Sequence, residues 1–124
     1  MSGNDVQSYR DLRVWREALD LAEDCYRLTK KFPREELFGL TSQIRRAEAS
    51  VPANIAEGYG RQSSVSYAQF LKIARGSLKE LETHLLLAER VGVAQPDSCA
   101  GALAQSDELG KMLSGLIKAV ARRQ

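Results

Sequence analysis

The chain has 124 residues, of which 44% are hydrophobic and 27% charged, as in an ordinary globular domain. Its formal net charge of +2 requires neither a nucleic acid nor a membrane as partner. No apolar run approaches the ~18 residues of a membrane span, and no signal peptide follows Met1. We therefore expect a cytoplasmic protein without membrane contact, long enough to bury one core.

The N-terminal segment is small and polar, so we expect residues 1–8 to be frayed and residues 9–124 to form a single domain. The first helix is predicted to begin near Tyr9–Asp11. It should end at Phe32-Pro33, because the residue before a proline disfavours helical backbone angles.

The second predicted helix covers residues 40–59 and contains Pro52. A proline in this position either kinks the helix or breaks it, with Ser50 as the cap of a restarted helix. A kink is favoured because the apolar stripe stays in phase across Pro52. That stripe consists of Leu40, Ile44, Ala47, Val51, Ile55 and Tyr59.

Two further helices follow. Ser63, Ser64 and Ser66 are candidate caps for the third, and Ser66 with Gln69 has the spacing of a capping box. Gly92 should end it, and Pro96-Asp97-Ser98 should open the fourth. Four helices with short connections predict an all-α, antiparallel up-down-up-down four-helix bundle. Its predicted core includes Trp15, Leu19, Ile44, Ile55, Phe70, Leu81, Leu85, Leu113 and Leu116.

A polar stripe accompanies the apolar one on the second helix: Gln43, Arg46, Ser50, Asn54, Glu57 and Arg61. Folding the helical hairpin at residues 61–64 brings Arg46 level with Glu80. We therefore expect a buried Arg46–Glu80 pair, with Gln43, Ser77 and Thr83 around it, that fixes helix register. The alternative is that part of the stripe contacts another subunit or RNA. Asn54 and Glu57 should hold the helix end near Gly58.

The sequence offers no assembled catalytic or metal-binding set, so we expect no enzyme, cofactor or metal. The only histidine, His84, has Leu81 three residues before it, which excludes the Glu-x-x-His pattern of di-iron bundles. Cys25 lies on an apolar face and should be a core residue. Cys99, near a helix start, is a candidate for a lowered thiol pKa.

Basic residues recur at helical spacing on the third helix at Lys72, Arg75 and Lys79, and Arg45 could lie near them. Arg122 and Arg123 form a second basic patch at the C-terminal end. Such cations are either a solvated face or phosphate contacts, since phosphate binding needs only clustered positive charge. With so little net charge, any binding of RNA or DNA should be weak.

Four segments together resemble one known family: Phe32-Pro33 with residues 36–43, Ile44 to Ala47, Ser50 to Gly58, and Phe70 to Thr83. The chain resembles the four helix bundle proteins encoded in intervening sequences of bacterial 23S ribosomal RNA genes, over about residues 9–120. In fold it is similar to accessory proteins of diversity-generating retroelements, which bind nucleic acid and a reverse transcriptase. The positions that match the family signature are Gln43, Arg46, Asn54, Glu57, Gly58, Ser77 and Glu80.

This resemblance implies a four-helix bundle and a homo-oligomer of five subunits. Apolar residues outside the predicted inner stripes also favour an oligomer, because a monomer would expose them. They are Leu12, Val14, Leu21, Leu28, Leu71, Leu86 and Leu87. Three functions stay open: an interaction protein that binds RNA, DNA or a protein; a structural or selfish-element protein without a ligand; and an enzyme using Glu57 or Glu80.

Overall fold

A computed structural model describes residues 6–123, and their backbone is helical with no strand. Short 3₁₀ turns at Tyr9–Asp11 and Arg34–Glu36 precede the first two of the four long helices. These helices are α1 (Arg13–Thr29), α2 (Leu40–Tyr59), α3 (Ser64–Arg90) and α4 (Ala100–Ala121). The predicted all-α class with four helices is confirmed.

Each helix packs against its neighbour in sequence, and α1 closes the bundle by packing on α4. The connecting contacts give the helix directions. Ser50 of α2 meets Ser77 of α3, while Gly58 at the end of α2 lies against Phe70 near the start of α3. Arg75 likewise meets Ser114 of α4. The α2–α3 pair is therefore antiparallel, as the short connection at residues 60–63 requires.

Local chemistry sets the helix ends. The Ser63 hydroxyl accepts a hydrogen bond from the Ser66 N–H, so Ser63 caps α3. The capping box suggested for Ser66 and Gln69 does not form, because Ser66 already lies inside the first turn. Gly92, with φ of +80°, ends α3 as predicted.

The N-terminal segment predicted to be frayed falls mostly outside the described residues, which begin at Val6. Within the described part, Ser8 forms a capping box with Asp11: the Ser8 hydroxyl accepts from Arg10 N–H, and the Asp11 carboxylate accepts from Ser8 N–H. The chain is thus held in place just ahead of α1.

The helix α2 continues through Pro52 without a break, which removes the alternative of a restart capped by Ser50. Pro52 is one of the buried residues of α2. Because proline has no N–H, the carbonyl of Glu48 has no helical donor at position 52.

The predicted core is correct at Ile44, Ile55, Leu81, Leu85 and Leu113, which are fully buried. Three further positions, Trp15, Phe70 and Leu116, are partly buried. The prediction is wrong for Leu19, which is 45% exposed. The inward stripe of α1 instead runs through Val14, Ala18, Leu21, Ala22 and Cys25.

The observed inward faces also correct the prediction that seven apolar residues lie outside the core. Val14, Leu21 and Leu71 are core residues rather than surface ones, and Leu12 and Leu28 pack against the core. Only Leu86 and Leu87 of that set are exposed. Apolar residues cover so much of α1 and α3 that periodicity alone leaves the inward direction uncertain by about one position.

Gly58 allows α2 and α3 to approach closely. A Cβ atom built at this buried glycine would lie 2.7 Å from Phe70 Cβ and 3.2 Å from the Tyr67 carbonyl oxygen. Neither atom is the free end of a flexible side chain. Any residue larger than glycine would therefore push the two helices apart.

Replacing Gly58 by alanine should lower the free energy of unfolding by about 1–3 kcal/mol, the usual penalty for overpacking. Gly76→Ala is the matched control, because Gly76 sits in mid-helix with no atom within 4 Å of a built Cβ. It should stabilise by roughly 0.5–1 kcal/mol through the higher helix propensity of alanine. Urea denaturation measures both. Equal effects of the two substitutions would contradict the close approach.

Candidate binding surfaces

The polar stripe of α2 forms a small hydrogen-bonded cluster with α3. The hydroxyls of Ser50 and Ser77 lie 2.8 Å apart, and Asn54 Nδ2 donates to Ser50 Oγ at 2.9 Å and to the Ser50 carbonyl at 2.8 Å. All three side chains are partly buried. Asn54 and Ser77 thus take part in a network that fixes the register of the two helices.

The expected pair of Arg46 and Glu80 is absent. Both side chains are exposed, and neither makes an ion pair or side-chain hydrogen bond within residues 6–123. Gln43 is exposed in the same way, and Thr83 bonds to the carbonyl of Lys79 on its own helix. The hairpin register is as predicted, but these positions point away from the α2–α3 contact.

Glu57 forms an ion pair with Arg61, 2.7 Å between Oε1 and Nη2, at an exposed position one turn apart on the chain. The Arg61 guanidinium also lies 4.8 Å from the centre of the Phe70 ring. Glu57 therefore belongs to the end of α2, beside Gly58, as expected. An exposed pair of this kind contributes less than about 1 kcal/mol.

A basic groove lies between α3 and α4, with a volume of about 450 Å³. We call it the basic groove and define it by its lining residues: Arg75, Lys79, Asp107, Gly110, Lys111, Ser114, Gly115 and Lys118. Its cations exceed its carboxylates by three. Glycine and serine line its α4 wall and leave room for a ligand between the cations.

The cations of the basic groove differ in how far they are neutralised. Lys79 pairs with Glu82 at 3.3 Å, and Lys111 lies 3.5 Å from Glu108 and 3.6 Å from Asp107. The neighbouring carboxylates, Glu108 first and then Asp107, raise the pKa of Lys111. Arg75 instead donates to the Ser114 hydroxyl at 3.2 Å and has no acidic partner among residues 6–123.

Of the predicted phosphate contacts, Arg75 and Lys79 line the basic groove, and Lys72 is exposed one turn before Arg75. Arg45 lies elsewhere. Its Nε donates to the Thr29 hydroxyl at 3.0 Å and its guanidinium stacks 4.0 Å from the Tyr26 ring centre, on the α1 side of α2.

Arg122 and Arg123 are exposed at the C-terminal end of α4. Arg123 lies near enough to Tyr67 to lower the pKa of that phenol, although burial raises it more. This second patch is therefore next to the start of α3.

The sequence pattern of α3 alone did not reveal the α4 side of the basic groove. Lys111 and Lys118 are seven residues apart, Ser114 and Gly115 lie between them, and Gly110 directly precedes Lys111. That combination of cations and small residues on one face was the available signal.

Glu48 is a buried carboxyl that the sequence pattern also leaves unremarked, although it lies between the core positions Ile44 and Val51. Glu48 is 5% exposed, and its Oε1 has no hydrogen-bond partner among the described residues. Burial raises the pKa of Glu48 to about 8, and Arg45 opposes this only in part. The carboxyl is therefore largely protonated at neutral pH.

Both cysteines are fully buried and unbridged. Burial raises the pKa of Cys25 to about 12 and also raises that of Cys99. Cys25 is a core residue, as predicted, but the lowered thiol pKa suggested for Cys99 is wrong, because desolvation outweighs the hydrogen bond from Ser98.

Within the described part of the chain, no group of three or more His, Cys, Asp or Glu side chains is arranged to hold a metal ion. A search of the helices within residues 6–123 finds no candidate for a membrane span.

The fold is therefore that of an all-α four-helix bundle, in which Gly58 allows a close α2–α3 contact beside the cluster of Ser50, Asn54 and Ser77. The family model for 23S rRNA-intervening sequence proteins matches residues 10–115. The chain belongs to this family, which confirms the resemblance read from residues 32–83.

A solved structure shares this fold. It is a protein of unknown function from the S23 ribosomal protein family of Bacteroides thetaiotaomicron, with 29% sequence identity and a TM-score of 0.78. The match covers 85% of this chain and 98% of that one. Comparison with curated proteins finds no match.

The burial of Glu48 predicts a pH-dependent stability. The unfolded carboxyl ionises near 4.5, whereas the folded one keeps its proton to about 8. Between these values the unfolding free energy should fall as pH rises, by at most about 1.4 kcal/mol per pH unit. Below the lower value and above the upper one, Glu48 adds no slope.

Glu48→Gln should remove this fall and be more stable than the wild type at about pH 8. Urea denaturation at steps from about pH 5 to about pH 8 measures it. Glu57→Gln, an exposed position on the same helix, is the control and should keep the wild-type slope. The same slope in Glu48→Gln would contradict the raised pKa.

Proposed function

We propose that this protein is a non-enzymatic, homo-oligomeric bundle that binds the phosphate backbone of RNA or DNA weakly through the basic groove. The observation that carries the proposal is the four cations that converge from α3 and α4 on one groove with small residues between them. Phosphate contacts need clustered cations rather than a base-specific surface. The modest net charge fits weak rather than tight binding.

The acidic residues beside the groove reduce its potential, because Lys79 and Lys111 are shared with Glu82, Asp107 and Glu108. Arg75 and Lys118 carry no such partner among residues 6–123, so they supply the largest share of the phosphate attraction. We infer a dissociation constant in the range of about 10⁻⁴–10⁻⁶ M for a single subunit, as for other non-specific binding.

The variant Arg75→Gln/Lys118→Gln should weaken binding to a fluorescent RNA hairpin and to a DNA duplex. Each phosphate contact contributes about −0.9 to the slope of log affinity against log salt for a duplex. The slope of the double variant should therefore be shallower by about 2. Fluorescence anisotropy at about 50 and about 200 mM salt measures both quantities.

The control is Arg13→Gln/Arg16→Gln, which removes the same charge from α1, away from the groove. It should retain the wild-type slope. If both double variants lose binding equally, only net charge matters and the basic groove has no special role. If the wild type binds neither nucleic acid at about 50 mM salt, the proposal fails and the protein without a ligand becomes the better description.

A homo-oligomer, with five subunits as the favoured number, is the second part of the proposal. Phe38 supports it, because this side chain is 93% exposed and sits beside Leu37, itself 47% exposed. Such a protruding aromatic side chain suits insertion into a different surface of the next subunit. Contacts of that head-to-tail type form a ring when the rotation between subunits closes, and an open filament otherwise.

Exposed residues on the outer α2–α3 face also suit a subunit contact. Ile73 is 50% exposed, and Arg46 and Glu80 are charged side chains without partners among the described residues. Opposite charges of this kind could pair between subunits in place of the absent pair within one subunit. A ring would also repeat the basic groove and raise its avidity for a long polyanion.

Phe38→Ser should lower the mass measured by light scattering at micromolar concentration, because the interface loses its aromatic anchor. Val65→Ser is the matched control: Val65 is 53% exposed at the opposite end of the bundle and should leave the mass unchanged. A wild-type protein that is already a monomer would rule out the oligomer. A multimer unaffected by Phe38→Ser would reject Phe38 as the anchor.

The chemistry of the chain supports the non-enzymatic part. The thiols of Cys25 and Cys99 are buried with raised pKa values, which suppresses the nucleophilic thiolate. Glu57 and Glu80, the alternative acid–base groups, are exposed, and Glu57 is paired with Arg61. Neither lies in a water-excluding site of the kind that tunes a catalytic carboxyl.

A further inference from the structure

A second groove, between α1 and α2, has a volume of about 420 Å³ and is lined by Glu48. We call it the α1–α2 groove. Leu19, Ala22 and Tyr26 give it an apolar wall, and Leu19 and Tyr26 are each 45% exposed. The exposure of Leu19, which lies outside the core, thus belongs to a concave surface rather than to an isolated position.

The Glu48 side chain has one oxygen that the described protein leaves without a hydrogen-bond partner. Its Oε1 is buried and unpartnered, and its residue is only 5% exposed. Its backbone carbonyl also lacks the usual helical donor, because Pro52 has no N–H. Burying an acceptor without a partner costs free energy, so a donor from outside would recover part of that cost.

We propose that the α1–α2 groove binds a small ligand with a protonated primary amine on an apolar or aromatic body, the ammonium donating to Glu48. An ammonium has three donors and no acceptor, so it can donate to the unpartnered Glu48 oxygen. Its positive charge also favours the ionised carboxylate. The apolar body would rest on Leu19 and Tyr26.

The aromatic ring in the groove already attracts cations of this chain. The guanidinium of Arg45 lies 4.0 Å and the ammonium of Lys30 5.6 Å from the centre of the Tyr26 ring. Arg45 is held by Thr29 rather than by Glu48. The carboxyl therefore stays available although a cation lies on its own helix.

The other charged groups around Glu48 do not satisfy it. Glu23 and Arg27 pair with each other on the rim of the groove, one turn apart on α1. Cys25 lies on the core side, and the Glu48 carboxylate contributes to the raised pKa of its thiol. The thiol therefore stays neutral and adds no competing charge.

The test uses the full chain and two probes of the same shape: 2-phenylethylamine, a protonated amine, and 2-phenylethanol, its neutral counterpart. Isothermal titration calorimetry should give a dissociation constant on the order of 1 mM for the amine, as expected for so small a ligand. The alcohol should bind at least about tenfold more weakly, a difference of about 1.4 kcal/mol.

Glu48→Gln keeps the shape of the side chain and removes the negative charge, and it should weaken amine binding by about tenfold or more without affecting the alcohol. Glu23→Gln, which removes an exposed carboxylate from the rim, is the matched control and should change amine binding less than about twofold. Equal binding of the amine by Glu48→Gln and the wild type would overturn the proposal. So would a wild-type protein that does not discriminate between the two probes.

Amine affinity should also depend on pH in one direction. It should rise by about tenfold per pH unit below the pKa of about 8 and level off above it, because the carboxylate must be ionised to attract the ammonium. A flat profile would place the amine at an exposed carboxylate instead.

Light scattering on the same samples separates a free amine from a basic side chain of another copy. An unchanged mass at saturating 2-phenylethylamine supports the small ligand. A mass that falls as the amine binds would assign the groove to a lysine or arginine of a neighbouring subunit, and would overturn the small-ligand proposal.

Discussion

The close contact of α2 with α3 at Gly58 is the constraint on which the rest of the molecule depends. A side chain at this position would meet Phe70 Cβ and the Tyr67 carbonyl, so the distance between the helices is set by a missing Cβ. Ser50 and Ser77 then fix how the helices slide past each other. Once both are set, one edge of α3 lies beside α2 and the other presents Arg75 to α4.

The same geometry explains why α2 carries polar residues on two sides. Its outer side has Arg46 and Asn54, and its α1-facing side has Thr41, Arg45 and Glu48. The outer residues remain solvated or bond locally, at small free-energy cost. Glu48 differs, because it is buried and neutralises itself by keeping its proton rather than by finding a cation. A helix in a bundle core rarely keeps an unpaired carboxyl unless something else uses it.

The sequence was sufficient for the number of helices, for the bounds of α2 and for its inward stripe, because Ile44, Val51 and Ile55 leave one inward direction. The predicted end of α1 at Phe32-Pro33 and the predicted opening of α4 at residues 96–98 each lie a few residues away from the observed Thr29 and Ala100. It was insufficient for α1, where Leu19 and Leu21 compete for the core and only the packing against α2 and α4 decides between them. The absent Arg46–Glu80 pair has a related cause. The register of a helical hairpin predicts which residues lie at the same height along the two helix axes. Two such residues touch only if both side chains also point towards the partner helix. The basic groove forms because Lys118 of α4 lies beside Arg75 and Lys79 of α3. Residues so far apart in sequence cannot be paired from the local pattern of either helix.

Charge distribution, rather than total charge, makes a nucleic-acid interface physically reasonable here. The net charge of +2 is spread over 18 basic and 16 acidic residues, and most exposed pairs lie within one helix, as in Arg13–Glu17. Such pairs cancel at distances beyond roughly one Debye length of about 8–10 Å. Arg75 and Lys118 have no partner of this kind among residues 6–123, and they face the same groove, so the local field there is not cancelled. An approaching phosphate would also compete with Glu82 for Lys79, which lowers the net gain of each contact. Under the proposed function, attachment to a polyanion would be weak and sensitive to salt, because Lys79 and Lys111 are partly shared with acids of their own helices.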